Sequence, residues 1–312
     1  MSTRALLDPE LHPIADQFAG FVVNAEALPM LRAQEAPLAD AEALGVTRSE
    51  VTFAAEDGAA IRALLYRPHA AGSGGGYVHL HGGGYIVGRP EAADAANLRI
   101  AARLRAVVLS VAYRLAPEHP IPAPLHDAYA GLRWLHEHAG ELGVDRSRIA
   151  SGGESAGGGL AAALAILARE RGEFAICHQH LTDPMLDDRT GTDTASVDPL
   201  VGEFVWTPES NRFGWSSYLG DARAEAPQVP ARVDDVRGLP PTWLSTAALD
   251  LFRDENLVFA QRLMRAGVRT DLVVYPAACH GFPLLPDTAL AQRYAEDHLR
   301  ALATGLGVTF ER

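Results

Sequence analysis

Gly153-Glu154-Ser155-Ala156-Gly157 sets a serine between small residues in the pattern G-x-S-x-G. The run Arg148–Ser151 ahead of it reads as a strand, and the apolar stretch Ala156–Arg169 behind it reads as a helix. A turn that tight forces the serine into a strained backbone conformation, and small residues two before and two after it let strand and helix approach. The serine would then stand at a helix N-terminus, where free N–H groups and the macrodipole favour an anion. This is the setting of an acyl-transfer nucleophile. A dinucleotide-binding turn fails the same residues, because Glu154 fills the position where G-x-G-x-x-G needs its second glycine. A glycine-rich helix start without chemistry is the remaining alternative.

A nucleophile that forms a tetrahedral anion needs donors aimed at the developing charge. His81-Gly82-Gly83-Gly84 comes at once after the apolar run Tyr77–Leu80. Bare backbone in such a loop can approach a reacting carbonyl and point its N–H groups at the oxygen, with the Ala156 N–H as a further donor. His79 and His81 also form His-x-His, which period-two alternation would place on one strand face. His178 with His180, and His136 with His138, repeat the spacing. H-E-x-x-H is absent, however, and the His136 pair lies on a helix, where i and i+2 face apart, so no metal is expected; His178 and His180 read as hydrogen-bonded strand histidines.

The serine also needs a histidine base and a carboxylate to hold that base in its working tautomer. In a strand-to-helix setting of this kind the chain order is Ser, then Asp or Glu, then His. Downstream of residue 180 the histidines are His280 and His298. His298 lies in a helical stretch and reads as solvated. His280 follows the run Leu272–Tyr275 and precedes Gly281-Phe282, in a loop at a strand's carboxyl end. Asp250 follows the run Thr242–Thr246 and is the preferred acid, with Asp187 and Asp188 as runners-up.

These groups have to be carried by a scaffold. From about residue 50, β-rich runs at 61–66, 77–80, 107–111, 148–151, 175–181, 242–246 and 272–275 alternate with helical stretches at 92–104, 124–138, 156–169, 254–266 and 287–302. Such alternation implies an α/β chain with a mostly parallel sheet covered on both faces, and its chemistry belongs beyond the carboxyl ends of the strands. Residues 1–45 read as helical and amphipathic, an arm or lid. Residues 184–230 break the pattern with five prolines and with Phe204, Trp206, Phe213 and Trp215, and read as an insertion above the sheet.

Composition narrows the function further. The 312 residues carry a formal charge of −12, with no basic run, which argues against nucleic acid as a partner. All 27 cationic side chains are arginine, so Schiff-base, pyridoxal phosphate, Walker-type lysine and Ser-x-x-Lys chemistries are excluded. Cys177 and Cys279 are too few for a disulfide framework and favour a reducing cytoplasm. The first residues show no signal-peptide pattern, and the uncharged stretch from Ser155 to Ala168 is short of the ~18–20 residues of a membrane span.

With these residues placed, the chain resembles the hormone-sensitive-lipase-like family of α/β-hydrolases, the bacterial family IV carboxylesterases. The likeness runs from about residue 50 to 305. It rests on His81-Gly82-Gly83-Gly84-Tyr85, the segment Tyr113-Arg114-Leu115-Ala116-Pro117-Glu118-His119-Pro120, Gly153-Glu154-Ser155-Ala156-Gly157-Gly158, Pro184-Met185-Leu186-Asp187-Asp188, Asp250 and His280-Gly281-Phe282. The resemblance implies the α/β-hydrolase fold, with a mostly parallel eight-stranded sheet flanked by helices and a helical cap. Residues 1–45 would be the N-terminal cap arm, and 46–312 the catalytic domain, with a cap insertion at about 188–225. It implies Ser155 as nucleophile, His280 as base and acid, and Asp250 as its orienter. Gly83, Gly84 and Ala156 would be oxyanion donors, with Gly82 shaping the loop. It further implies hydrolysis of short- to medium-chain acyl esters without a cofactor, and a homodimer as one assembly. An amidase or acyltransferase could use the same triad, and a non-catalytic small-ligand receptor could use the same fold. The chain departs from the family pattern at Glu154, where Asp is usual. It departs again at Asp250-Leu251-Phe252-Arg253-Asp254-Glu255, where Pro commonly follows the acid, and in the polar run Cys177-His178-Gln179-His180.

Overall fold

Short apolar segments such as Val107–Val111 and Thr242–Ala247 are buried at every residue, as strands covered on both faces must be. A computed structural model of the chain describes residues 2–192 and 198–310. The N-terminal arm holds 3₁₀ turns and two short helices, α1 (His12–Gln17) and α2 (Leu28–Ala33). Then follow β1 (Val46–Ala54), β2 (Ala60–Pro68), β3 (Gly76–Leu80), α3 (Asp94–Leu104), β4 (Val107–Val111), α4 (Ala123–Glu137) and α5 (Ala139–Leu142). The second half contains β5 (Ile149–Glu154), α6 (Ala156–Arg171), β6 (Gln179–Thr182), α7 (Pro208–Leu219), β7 (Thr242–Ala247), α8 (Arg253–Arg265), β8 (Thr270–Tyr275) and α9 (Ala289–Leu306).

One 8-stranded sheet runs in the order β1-β2-β4-β3-β5-β6-β7-β8. β1 and β2 pair antiparallel, as do β2 and β4, and all other neighbours are parallel. The sheet is mixed and mostly parallel, as expected from the sequence. Leu132 of α4, Leu164 of α6 and Phe259 of α8 pack with Val78, Leu109 and Leu244 on one face. Leu98 of α3 and Leu302 of α9 pack with Tyr77, Val108 and Ala150 on the other. Helix α6 is apolar almost all round, and this lets it lie against the middle of the sheet.

The structure departs from the sequence reading in three places. The sheet begins at Val46, because β1 is an edge strand whose outward positions are polar and half-exposed. The arm is broken into 3₁₀ turns and the two six-residue helices α1 and α2 rather than continuous amphipathic helix. Of the run 175–181 only residues 179–181 form ladder, within β6 (Gln179–Thr182). The insertion contains a helix, α7, capped by the Thr207 side chain; residues 193–197 of the insertion lie outside the described residues.

Arm and insertion touch each other. Ser2 and Thr3 hydroxyls each donate to Glu203 at 2.6 Å, and the Val23 N–H donates to Ser210 Oγ at 2.9 Å. Below them, the segment that begins at Tyr113 is anchored to α4 by a buried carboxylate. Asp127 is fully buried and accepts from Arg114 through N, Nε and Nη2 at 2.7–3.2 Å. Arg114 also meets the exposed Asp57 at 2.7 Å. Asp127→Ala is expected to lower the unfolding free energy by about 3 kcal/mol in urea titrations, the low end for breaking a buried pair because Arg114 keeps Asp57.

Candidate active site

The residue between β5 and α6 is Ser155, with φ 56° and ψ −122°, a region that non-glycine residues rarely occupy. The surrounding chain holds it there. Its N–H donates to Thr182 O at 2.8 Å, and its carbonyl accepts from Gly159 N and Met185 N at 3.0 Å. The crossing of strand and helix is close enough that a Cβ on Gly153 or on Gly157 would sit 2.0 Å from the Leu80 carbonyl oxygen. Only glycine fits there, which gives the motif spacing its physical content.

His280 and Asp250 arrive from the carboxyl ends of β8 and β7. His280 Nε2 lies 3.0 Å from Ser155 Oγ, and His280 Nδ1 lies 2.7 Å from Asp250 Oδ2. The other carboxylate oxygen, Oδ1, accepts from Phe252 N at 2.9 Å. All three side chains are buried, Asp250 completely. Burial pulls the His280 pKa down, but the charge of Asp250 and its hydrogen bond more than offset this, and the net displacement is upward. The runners-up for the acid lie elsewhere, paired with arginines: Asp187 with Arg189 at 2.7 Å and Asp188 with Arg232 at 2.6 Å.

The glycine loop curls over the serine. A Cβ on Gly82 would lie 3.5 Å from Ser155 Cβ. The loop is pinned by His81, whose Nδ1–H donates to Gly82 O at 2.8 Å and whose own carbonyl accepts from Tyr113 OH at 2.7 Å. The Tyr113 ring stacks on the imidazole, with centroids 4.2 Å apart. Burial pushes the His81 pKa down to about 4, so the imidazole stays neutral. Among the described residues, the Gly83, Gly84 and Ala156 amides donate to no protein acceptor. Trp206 of the insertion covers the loop: a Cβ on Gly84 would come 2.1 Å from its ring.

Several sequence expectations need correction. β3 ends at Leu80, so His81 lies outside the period-two pattern. His79 reaches instead to Ser110 Oγ at 2.8 Å and to the Glu154 carboxylate at 3.1 Å. The methylene that Glu154 has beyond aspartate gives it that reach, which ties the end of β5 to β3. Burial alone would raise the Glu154 carboxyl, but His79 outweighs it and the net shift is downward. His298, expected in solvent, is buried; its Nδ1 is 3.0 Å from His180 Nε2, and His178 Nε2 is 3.3 Å from His180 Nδ1. Burial holds all three low, His178 and His298 at about 4. The polar run before Pro184 is thus a chain of neutral, mutually bonded imidazoles closed by a helix residue. Sequence reasoning missed Asp183, which is buried beside Asp250; its only signal was an acid directly after a polar strand. Among the described residues, the ligating atoms of Asp183, Asp250 and His280 lie within 4.8 Å of one another, but both His280 nitrogens are already engaged by Asp250 and Ser155.

Residues 77–284 match the model of the α/β-hydrolase-fold family. The chain is similar to the carboxylesterase NlhH of Mycobacterium tuberculosis, with 37% identity over 208 residues, covering 66% of this chain and 65% of that protein. It therefore spans a little under two thirds of this mycobacterial relative. An ethyl acetate hydrolase of Pseudomonas putida is 32% identical over 254 residues, covering 75% of each chain. Among solved structures, a bacterial heroin esterase superposes with a TM-score of 0.85 at 36% identity, covering 98% of this chain and 99% of that one. Esterase LipW from Mycobacterium marinum superposes with a TM-score of 0.83 at 35% identity, covering 97% and 96%.

The contact between loop and insertion is directly testable. Gly84 has φ 60°, so Gly84→Ala adds backbone strain as well as a clash with Trp206. If the Gly84 N–H serves as an oxyanion donor, the variant is expected to react with a fluorophosphonate about 10²–10³-fold more slowly than the wild type, with the melting temperature measured in parallel.

Proposed function

The chain belongs to the α/β-hydrolase-fold family, in its hormone-sensitive-lipase-like branch, and from that premise we propose that it is a serine carboxylesterase acting on short- to medium-chain acyl esters. The observation that carries this reading is the continuous hydrogen-bonded line from Asp250 through His280 to Ser155, beside amides that have no protein acceptor among the described residues. Residues 1–45 and about 188–225 together form the cap that sizes the acyl site, a division supported by the contacts of Ser2, Thr3 and Val23 with the insertion.

The geometry sets out the steps. Neutral His280 takes the Ser155 hydroxyl proton through Nε2 as the oxygen attacks the ester carbonyl. Asp250 holds the Nδ1 proton, which fixes the tautomer and stabilises the imidazolium as it forms. The Gly83, Gly84 and Ala156 amides stabilise the oxyanion. The imidazolium gives its proton to the departing alkoxide and leaves an acyl-serine. Water, deprotonated in turn by His280, attacks that ester and releases the acid. No step calls on a cofactor.

Turnover of p-nitrophenyl esters of increasing acyl length tests the proposal. Ser155→Ala is expected to lose about 10⁴–10⁶-fold in kcat, and wild-type rates should pass through an optimum at the chain length the cap admits. A wild-type chain without ester turnover, or an active Ser155→Ala, would overturn the reading.

The pH dependence follows from the sign of the His280 shift. Only neutral imidazole accepts the proton, and its pKa lies above the ordinary value. The acid limb of kcat/KM is therefore expected to have its midpoint above about 6.5, with activity lost as pH falls through it.

A further inference from the structure

A second carboxyl stands at the catalytic pair, and the steps above make no use of it. Asp183 follows β6 directly, as Asp250 follows the adjacent strand β7. It is 3% exposed and has φ 42°, a left-handed backbone that aspartate tolerates better than most residues. Its backbone N–H donates to Ser245 O at 2.8 Å. One carboxyl oxygen, Oδ1, accepts the Ala247 N–H at 2.9 Å. These bonds hold the side chain between the ends of the two strands, with oxygen atoms of Asp183 and Asp250 and a ring nitrogen of His280 within 4.8 Å of one another.

Two carboxyls at one buried site resist being ionised together, which favours keeping one proton on the pair. Burial, and then the charge of Asp250, push the Asp183 pKa well up, and Asp183 is the member that keeps the proton. The other titratable groups facing it are His280, Cys279, Tyr275 and Tyr294, none of them an arginine that would favour its anion. A buried carboxyl with a proton can donate a hydrogen bond; the same carboxyl without one can accept.

We propose that Asp183 is a second positioning carboxyl of this site, one that holds Asp250 through their shared hydrogen bond and can replace it as acceptor for the His280 Nδ1 proton. In the resting enzyme Asp183 donates to Asp250 and keeps it aimed at the imidazole. When residue 250 carries no charge, a cause that holds the proton on Asp183 is gone; Asp183 releases that proton to water, and a side-chain rotation brings its carboxylate to the Nδ1–H of His280. The proposal rests on the esterase reading for its role in turnover, while its geometric core does not.

The test compares the wild type with D183N, D250N and D183N/D250N in steady-state ester hydrolysis. Asparagine keeps the volume and a donor at 183 but cannot carry the charge. D183N is expected to cost at least about tenfold more kcat in the D250N background than in the wild type, with KM changed less than about twofold. Equal fold-losses in the two backgrounds would overturn the proposal, because a carboxyl that stands in for Asp250 must matter more when residue 250 carries no charge. D183S in the same backgrounds supplies the comparison if D183N does not fold. The downfield Nδ1 proton resonance of His280 gives a readout without turnover: it should persist in D250N and vanish in D183N/D250N. Its loss in D250N alone would overturn the assignment. This arm decides the role of Asp183 even if the wild-type chain hydrolyses none of the esters, a result that would count against the proposed activity instead.

Discussion

The Leu80 carbonyl oxygen lies where β3, β5 and α6 converge, pressed against Gly153 and Gly157. The serine and the glycine loop take their positions from that crossing. Because strand and helix meet so closely, Ser155 has no relaxed backbone available and is held at positive φ, its N–H and C=O tied to Thr182, Gly159 and Met185. Because β3 ends at the same point, the glycine loop leaves the sheet directly above the serine. One backbone contact thus sets where the hydroxyl and the loop start, the His81 and Tyr113 side chains then pin the loop, and the strain is carried by a sheet with helices packed on both faces.

Around this point the buried ionisable groups divide into two kinds. His81, His178, His180 and His298 are kept neutral by burial and serve as hydrogen-bonding wedges between elements. Half-buried Glu154 sits against His79 and buried His280 against Asp250, and the pairing outweighs desolvation in each case. The two kinds are separated by small differences in surroundings. His81 has only a carbonyl to donate to, whereas His280, equally buried, has a carboxylate.

How far the amino-acid order revealed this depends on the range of the interaction. Ser155, the glycine loop, Asp250 and His280 were legible because each is marked by neighbours in sequence: small residues around a turn, glycines after an apolar run, an acid or a histidine just past a strand. The structure sets these groups within hydrogen-bond distance of one another. Edge strand β1 was not legible, since Arg48, Ser49 and Glu50 blur the alternation of a strand with one face in water. His298 looked solvated because nothing near it in sequence announces His180, 118 residues away. Asp183 was hidden in the same way: its neighbour Asp250 belongs to the next strand, and only the sheet brings them together. Local motifs show what kind of chemistry a chain carries, while the supports of that chemistry are long-range and become visible only in the fold.

The bonds from Ser2 and Thr3 to Glu203 join the N-terminal arm to the stretch that carries Trp206, the ring resting on the glycine loop. Val205, between them, has φ 66°, a costly conformation for a β-branched side chain. The ceiling above the serine is thus braced by Ser2 and Thr3. A purification tag fused next to these residues is no neutral handle, because it pulls on the same strut that sets the headroom over the loop.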